Sequence, residues 1–173
     1  MQNNNENLYF HKLNTFIGSI FIVKSKKGLR SIEIINDNWI NINKKYNLIE
    51  NKEICKDEIK QLEEYFLGKR KNFDLIFDIE GTNFRKKVWM ELLKIPYGEV
   101  RSYSDIAKAI GNEKAVRAVG QANKANPIPI IIPCHRVIGK NKKLIGYAGS
   151  HTDIQEKLID FEKRIRAVVT APN

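Results

Sequence analysis

The chain has 173 residues, 42% of them hydrophobic, and carries 30 Lys and Arg against 20 Asp and Glu, a formal charge of +10. The hydrophobic share excludes wholesale disorder, and two cysteines exclude a disulfide-stapled scaffold and point to a reducing compartment. The longest apolar stretches, such as Phe16–Val23, are broken by Gly and Ser and fall short of a membrane span, and the first residues lack a secretory pattern, so a cytoplasmic protein with no membrane partner is expected.

Tyr9–Leu13 and Phe16–Lys24 are rich in aromatic and β-branched residues and read as strands, with Lys26-Lys27-Gly28 as a turn before Leu29–Ile35. The Asn-rich stretch 36–51 reads as an irregular connection. Cys55, Ile59, Leu62 and Phe66 then recur at helical spacing, with Gly68 placed as a C-terminal cap. Cys55 is thereby read as a small core hydrophobe. In Phe73–Ile79, alternation puts Phe73, Leu75, Phe77 and Ile79 on one face of a half-buried strand.

After Gly81 the period changes. Thr82 caps a helix with an apolar stripe of Phe84, Val88, Trp89, Leu92 and Leu93, stopped before Pro96. Ser102 or Ser104 starts a short helix through Ile110, ended by Gly111, and a second helix runs from about Lys114 to Asn123. Such a pair reads as a helix-turn-helix candidate or an ordinary αα-corner. Thr152 with Gln155 makes a capping-box pattern for a last helix whose apolar face is Ile154, Leu158, Phe161 and Ile165.

Charge follows the same division. Residues 1–80 hold 13 basic and 12 acidic side chains, and residues 81–173 hold 17 and 8. The chain thus divides into a β-rich, nearly neutral domain (1–80) and a helical, basic domain (81–173). The Lys/Asn/Ile bias offers a compositional origin for the basic balance. Its concentration in one half points instead to an anionic polymer as partner.

The chemistry lies in NPIPIIIPCHRVIG, residues 126–139. Pro127, Pro129 and Pro133 forbid a helix, so the segment reads as a stiff, extended, buried strut delivering Cys134, then His135 and Arg136. A thiol in apolar surroundings is inert unless a base takes its proton, and an adjacent imidazole can do so. Glu162, on the apolar face of the last helix, needs a partner, since a lone buried charge is costly. His135 is that candidate, giving Cys–His–Glu in chain order. No metal is expected: His11, His135 and His151 are scattered, and the zinc deaminase pattern is missing.

The run GEVRSYSDIAKAIG, KAVRAVGQANKANPIPIIIPCHRVIG and GYAG resembles the O6-alkylguanine-DNA alkyltransferases, continuously from about Phe84 to Glu162. The resemblance implies an α/β (α+β) fold: an N-terminal domain of ribonuclease H-like layout, then a mainly helical domain with a winged-helix-like helix-turn-helix. It implies a single-turnover methyltransferase working without cofactor, as a monomer, on double-stranded DNA containing O6-alkylguanine, and O4-alkylthymine as well.

The roles it implies are these. Cys134 accepts the alkyl group, His135 is its base through a bridging water, Glu162 orients the imidazole, and Tyr103 assists nucleotide rotation and protonates the departing guanine. Arg117 enters the duplex, while Ala118 and Gly120 let the second helix approach DNA closely and Arg136 adds to DNA binding. Asn126 braces the active-site segment. Pro133, Val137, Tyr147 and Ala148 shape the pocket, Tyr147 as its wall. One departure stands out: Tyr147-Ala148-Gly149 continues as Ser150-His151-Thr152 where the family usually has two glycines, one residue longer before Glu162. The competing functions are a lesion sensor without repair, which the nucleophilic cysteine argues against, and a helix-turn-helix regulator.

Overall fold

The computed structural model describes residues 6–34, 36–144 and 151–171. They divide into two compact units, Met1–Glu80 and Gly81–Asn173.

In the first unit, β1 (Tyr9–Thr15), β2 (Gly18–Ser25) and β3 (Gly28–Glu33) form an antiparallel meander. A two-residue β4 (Ile49–Glu50) pairs in parallel with β1, giving the order β3-β2-β1-β4. Side chains alternate across a strand, so β2 turns Ile20 and Ile22 into the core together. The stretch read as irregular contains α1 (Asn36–Tyr46). Its Asn-rich sequence has little helix propensity, and tertiary packing overrides that: Trp39 is buried, stacked on Phe21 with ring centroids 4.1 Å apart and 4.6 Å from Phe10. Asp37 in the first turn and Lys44 and Lys45 in the last also suit the helix dipole.

Helix α2 (Lys56–Phe66) buries Ile59, Leu62 and Tyr65, with Cys55 wholly buried at its start. Gly68 follows at φ +74, its N–H donating to the Tyr65 carbonyl. Phe73–Ile79 does not form the expected strand. The alternation of half-buried Phe73, Leu75 and Phe77 with exposed Asp74 and Ile76 is present, but only one bridge forms, Leu29 to Phe77. Side chains fix the following residues instead: Asp78 accepts from Ser25 Oγ, and Arg30 reaches Glu80 at 2.7 Å.

The second unit is built on α3 (Asn83–Leu92), α4 (Tyr103–Ala109), α5 (Val116–Lys124) and α6 (Thr152–Thr170), with β5 (Arg101–Ser102) parallel to β6 (Val137–Ile138). Thr82 caps α3 by accepting from the Arg85 N–H at 3.2 Å. Ser102 caps α4 in a full capping box with Asp105. A turn at Gly111 and a 3-10 turn at Glu113–Ala115 lead into α5, which packs on both α3 and α4. Trp89, fully buried on α3, donates its indole N–H to the Ala122 carbonyl at 2.8 Å. A buried indole N–H without a partner would be costly, so this bond helps select the register of α3 against α5.

Helix α6 begins one residue earlier than expected. His151 occupies the N-cap without a side-chain bond, Thr152 is the first helical residue, and no capping box forms. Gln155 is drawn inward to another task, described below. Its apolar face is as read: Ile154, Leu158 and Phe161 are buried, and Ile165 is half-buried.

Candidate active site

The segment leading to Cys134 is buried but not extended. Ile128, Pro129, Ile130, Ile131 and Ile132 are all buried, and the Ile132 N–H folds back to the Ile128 carbonyl at 3.0 Å. The bend sits at Ile130, whose φ of +75 is unfavourable for a β-branched residue and costs about 1–3 kcal/mol. The three prolines exclude a helix here, yet they leave room for a turn between Ile128 and Ile132. Asn126 spans it, donating to the Ile132 carbonyl at 2.8 Å and accepting from the Ile128 N–H at 3.1 Å.

Beyond Pro133, residues Cys134–Arg136 make one turn of 3-10 helix. Cys134 is 4% exposed, His135 is not exposed at all, and Val137 beside them is fully buried. His135 Nε2 lies 2.7 Å from Glu162 Oε1. Arg136 grips the same carboxylate in two places, Nε to Oε2 at 2.8 Å and Nη2 to Oε1 at 2.9 Å. A fourth donor is the Gly98 N–H, 3.1 Å from Oε2. Gly98 has φ +75, and a Cβ there would meet Arg166 Cδ at 3.0 Å, so the close approach of this N–H depends on glycine.

Glu162 therefore meets four donors among the described residues, two on each oxygen. Burial alone would raise its pKa; the charges and hydrogen bonds of His135 and Arg136 outweigh that and hold it well below the usual carboxylate range. An ionised carboxylate only accepts, so Nε2 of His135 must carry a proton. Neutral His135 is thus the Nε2–H tautomer with its lone pair on Nδ1, an atom that is buried and has no hydrogen-bond partner among the described residues. The arrangement leaves a base one residue from the thiol.

Arg136, expected to contribute to DNA binding, is 6% exposed. Besides Glu162 it donates from Nη1 to the Ile95 carbonyl at 2.8 Å, and its guanidinium lies 5.5 Å from the Tyr97 ring centroid. A guanidinium so committed has no fork left for a phosphate. The physical reason for the difference is Glu162: a carboxylate this deep is costly without a permanent charge beside it, and the guanidinium supplies one. Burial, then the charge of Glu162, pushes the Tyr97 phenol up to about 12.

Two residues that sequence reasoning did not place at the site hold the backbone of the turn. Gln155, 1% exposed, donates from Nε2 to the carbonyls of His135 at 3.1 Å and Val137 at 2.8 Å. Asn123, on α5, donates from Nδ2 to the Cys134 carbonyl at 3.3 Å. Buried polar side chains on otherwise apolar helix faces were the available signal, and Gln155 carried it in the sequence. Tyr103, the first residue of α4, stands near this turn: burial, then a charge on Cys134, push its phenol above the ordinary value, and a hydrogen bond from Asn123 opposes that shift.

On α5, Arg117 and Ala118 are exposed and Gly120 is half-buried, 3.9 Å from the Tyr103 ring at the position a Cβ would take. The structure thus gathers Cys134, His135, Glu162, Arg136, Asn126 and Pro133 at one turn, with Tyr103 and Gly120 at its α5 side. Tyr147, Ala148 and the altered Gly149-Ser150 lie outside the described residues. No group of three or more His, Cys, Asp or Glu among the described residues could hold a metal, and no helix there is long and apolar enough to cross a membrane.

A mixed α/β unit, followed by a helical unit in which a helix-turn-helix lies beside a buried Cys-His turn, defines the class. The model of the 6-O-methylguanine DNA methyltransferase ribonuclease-like domain matches residues 8–79, and that of the same family's DNA binding domain matches residues 83–164. The constitutive methylated-DNA–protein-cysteine methyltransferase of Bacillus subtilis is 45% identical over 157 residues, spanning 90% of this chain and 95% of that relative. The crystal structure of the Mycobacterium tuberculosis O6-methylguanine methyltransferase matches with a TM-score of 0.81 at 35% identity, over 95% of each chain. The M. tuberculosis OGT structure in complex with DNA matches with a TM-score of 0.82 at 36% identity, over 91% of this chain and 94% of that one. The chain belongs to the 6-O-methylguanine DNA methyltransferase family.

Proposed function

We propose that the protein repairs DNA by direct reversal, moving the alkyl group of O6-alkylguanine in a duplex irreversibly to Cys134, once per molecule. The thiol proton passes to Nδ1 of His135, relayed by one water. The thiolate sulfur attacks the alkyl carbon in line; an S–C bond forms, the C–O6 bond breaks, and its electron pair stays on guanine. Tyr103 donates its phenolic proton to the departing base. The proton lost by the thiol then balances the one the guanine gained when His135 and Tyr103 exchange back.

The observation that carries this reading is the pairing of Nε2 of His135 with an ionised Glu162, which leaves the Nδ1 lone pair beside the cysteine turn. An alkyl group on O6 lies within the base stack, so the nucleotide must rotate out at a cost of about a few kcal/mol. Exposed Arg117 fills the gap left in the duplex, Ala118 and Gly120 allow α5 to approach the backbone, and the basic charge of the second unit supplies sequence-independent attraction. Asn126, Pro133 and Val137 line the pocket. The protein acts as a monomer in the cytoplasm, on the nucleoid in a prokaryote.

The test is a Cys134→Ser variant. Transfer from a duplex carrying O6-methylguanine should vanish while affinity for that duplex changes less than about threefold, the hydroxyl being a weaker nucleophile of similar size. Retained transfer would exclude Cys134 as acceptor.

A further inference from the structure

The orientation of the Asn123 carboxamide is not accounted for by packing alone. The residue is 4% exposed and sits on α5, three positions after Gly120. The Cys134 carbonyl can only accept, so the NH2 group must face it at 3.3 Å. The same side chain hydrogen-bonds the Tyr103 phenol. Its Oδ1 is buried and has no hydrogen-bond partner among the described residues. A buried amide that leaves its acceptor unpaired forfeits stability, so its donor side has to be serving something.

We propose that Asn123 is a positioning residue for the transfer step, its NH2 group holding the phenol oxygen of Tyr103 beside the backbone of the nucleophile. This rests on the alkyl-transfer reading above. With one lone pair of the phenol oxygen occupied by an N–H, the phenolic O–H is turned away from α5 and kept as a donor for the base. The same N–H stabilises the phenolate formed when that proton leaves. Gly120 on the same face, whose Cβ position is 3.9 Å from the Tyr103 ring, leaves room for the ring to lie there. Asn123 thereby ties the helix that carries Arg117 to both the acid and the nucleophile.

The experiment is a double-mutant cycle on the full chain, reading single-turnover methyl transfer from an O6-methylguanine duplex and affinity for the same duplex. General acids contribute about 100-fold or more, so Asn123→Leu should slow transfer about tenfold with affinity nearly unchanged. In a Tyr103→Phe background the same substitution should cost about twofold or less, because the group it acts through is gone. Equal losses in both backgrounds would overturn the proposal and leave Asn123 a packing residue. A wild-type chain that leaves the methylated duplex untouched would instead overturn the alkyl-transfer reading itself. If Asn123→Leu fails to fold, the side-chain amide resonance of Asn123 in wild type and in Tyr103→Phe decides: it must move on loss of the phenol, and an unmoved resonance contradicts the contact.

Discussion

His135 Nε2 and Glu162 Oε1 stand 2.7 Å apart, both side chains out of solvent, and this contact sets which nitrogen of neutral His135 carries the proton. Replacing the acceptor by an amide lets the imidazole turn its N–H elsewhere. Glu162→Gln should slow transfer by about two to four orders of magnitude, as loss of tautomer control does in other triads. It should also destabilise the fold by about 3–5 kcal/mol, because Arg136 is left as a buried charge without its carboxylate. Single-turnover kinetics and urea denaturation of the same variant separate the two effects.

Stability should fall in acid through this group. An unfolded glutamate titrates at about 4.3, while Glu162 in the folded chain is held lower: burial opposes ionisation, and His135 and Arg136 more than offset it. Between the two values the unfolded chain binds more protons. The stabilisation is therefore complete above the unfolded value and is lost as pH falls through the folded one. Denaturation at neutral pH and near pH 3.5 should show the loss, and part of it should be absent in Glu162→Gln.

Gln155 holds the carbonyls on either side of Arg136 with one NH2 group. Gln155→Leu leaves both acceptors buried and should cost about 1–3 kcal/mol. Gln155→Glu sets a carboxylate against two carbonyl oxygens and should cost more. Thermal melts of the two variants check the order.

Cys55 is wholly buried, and burial, then the charge of Glu58, pushes its thiol up to about 11. At neutral pH it should resist iodoacetamide in the native protein and react only after unfolding. Cys55→Ala should leave the transfer rate within about twofold, since the side chain acts as a small hydrophobe. Peptide mapping of the alkylated protein gives the answer.

The elements legible in the sequence are those where local chemistry and packing agree. Thr82 and Ser102 announce their helices because a hydroxyl accepting from a backbone N–H is a local event. The Pro-Cys-His-Arg run and the inward place of Glu162 could be read for the same reason: each is written in adjacent residues or in one helical period. The losses come where distant partners decide. Residues 36–46 are helical because Trp39 finds Phe10 and Phe21, which no local pattern records. Gln155 looked like half of a capping box and instead serves a turn twenty residues back. Arg136 was expected at the DNA, and the partner that draws it inward, Glu162, lies 26 residues away. The bend at Ile130 is invisible to propensity, since a β-branched residue rarely takes positive φ.

The most direct test is intact-protein and peptide mass spectrometry after incubation with excess duplex carrying one O6-methylguanine. The expected result is one methyl group per protein molecule, on the peptide containing Cys134, no further gain on longer incubation, and an equal amount of restored guanine in the DNA. Restored DNA with an unmodified Cys134 peptide, or turnover beyond one equivalent, would contradict stoichiometric transfer to this cysteine.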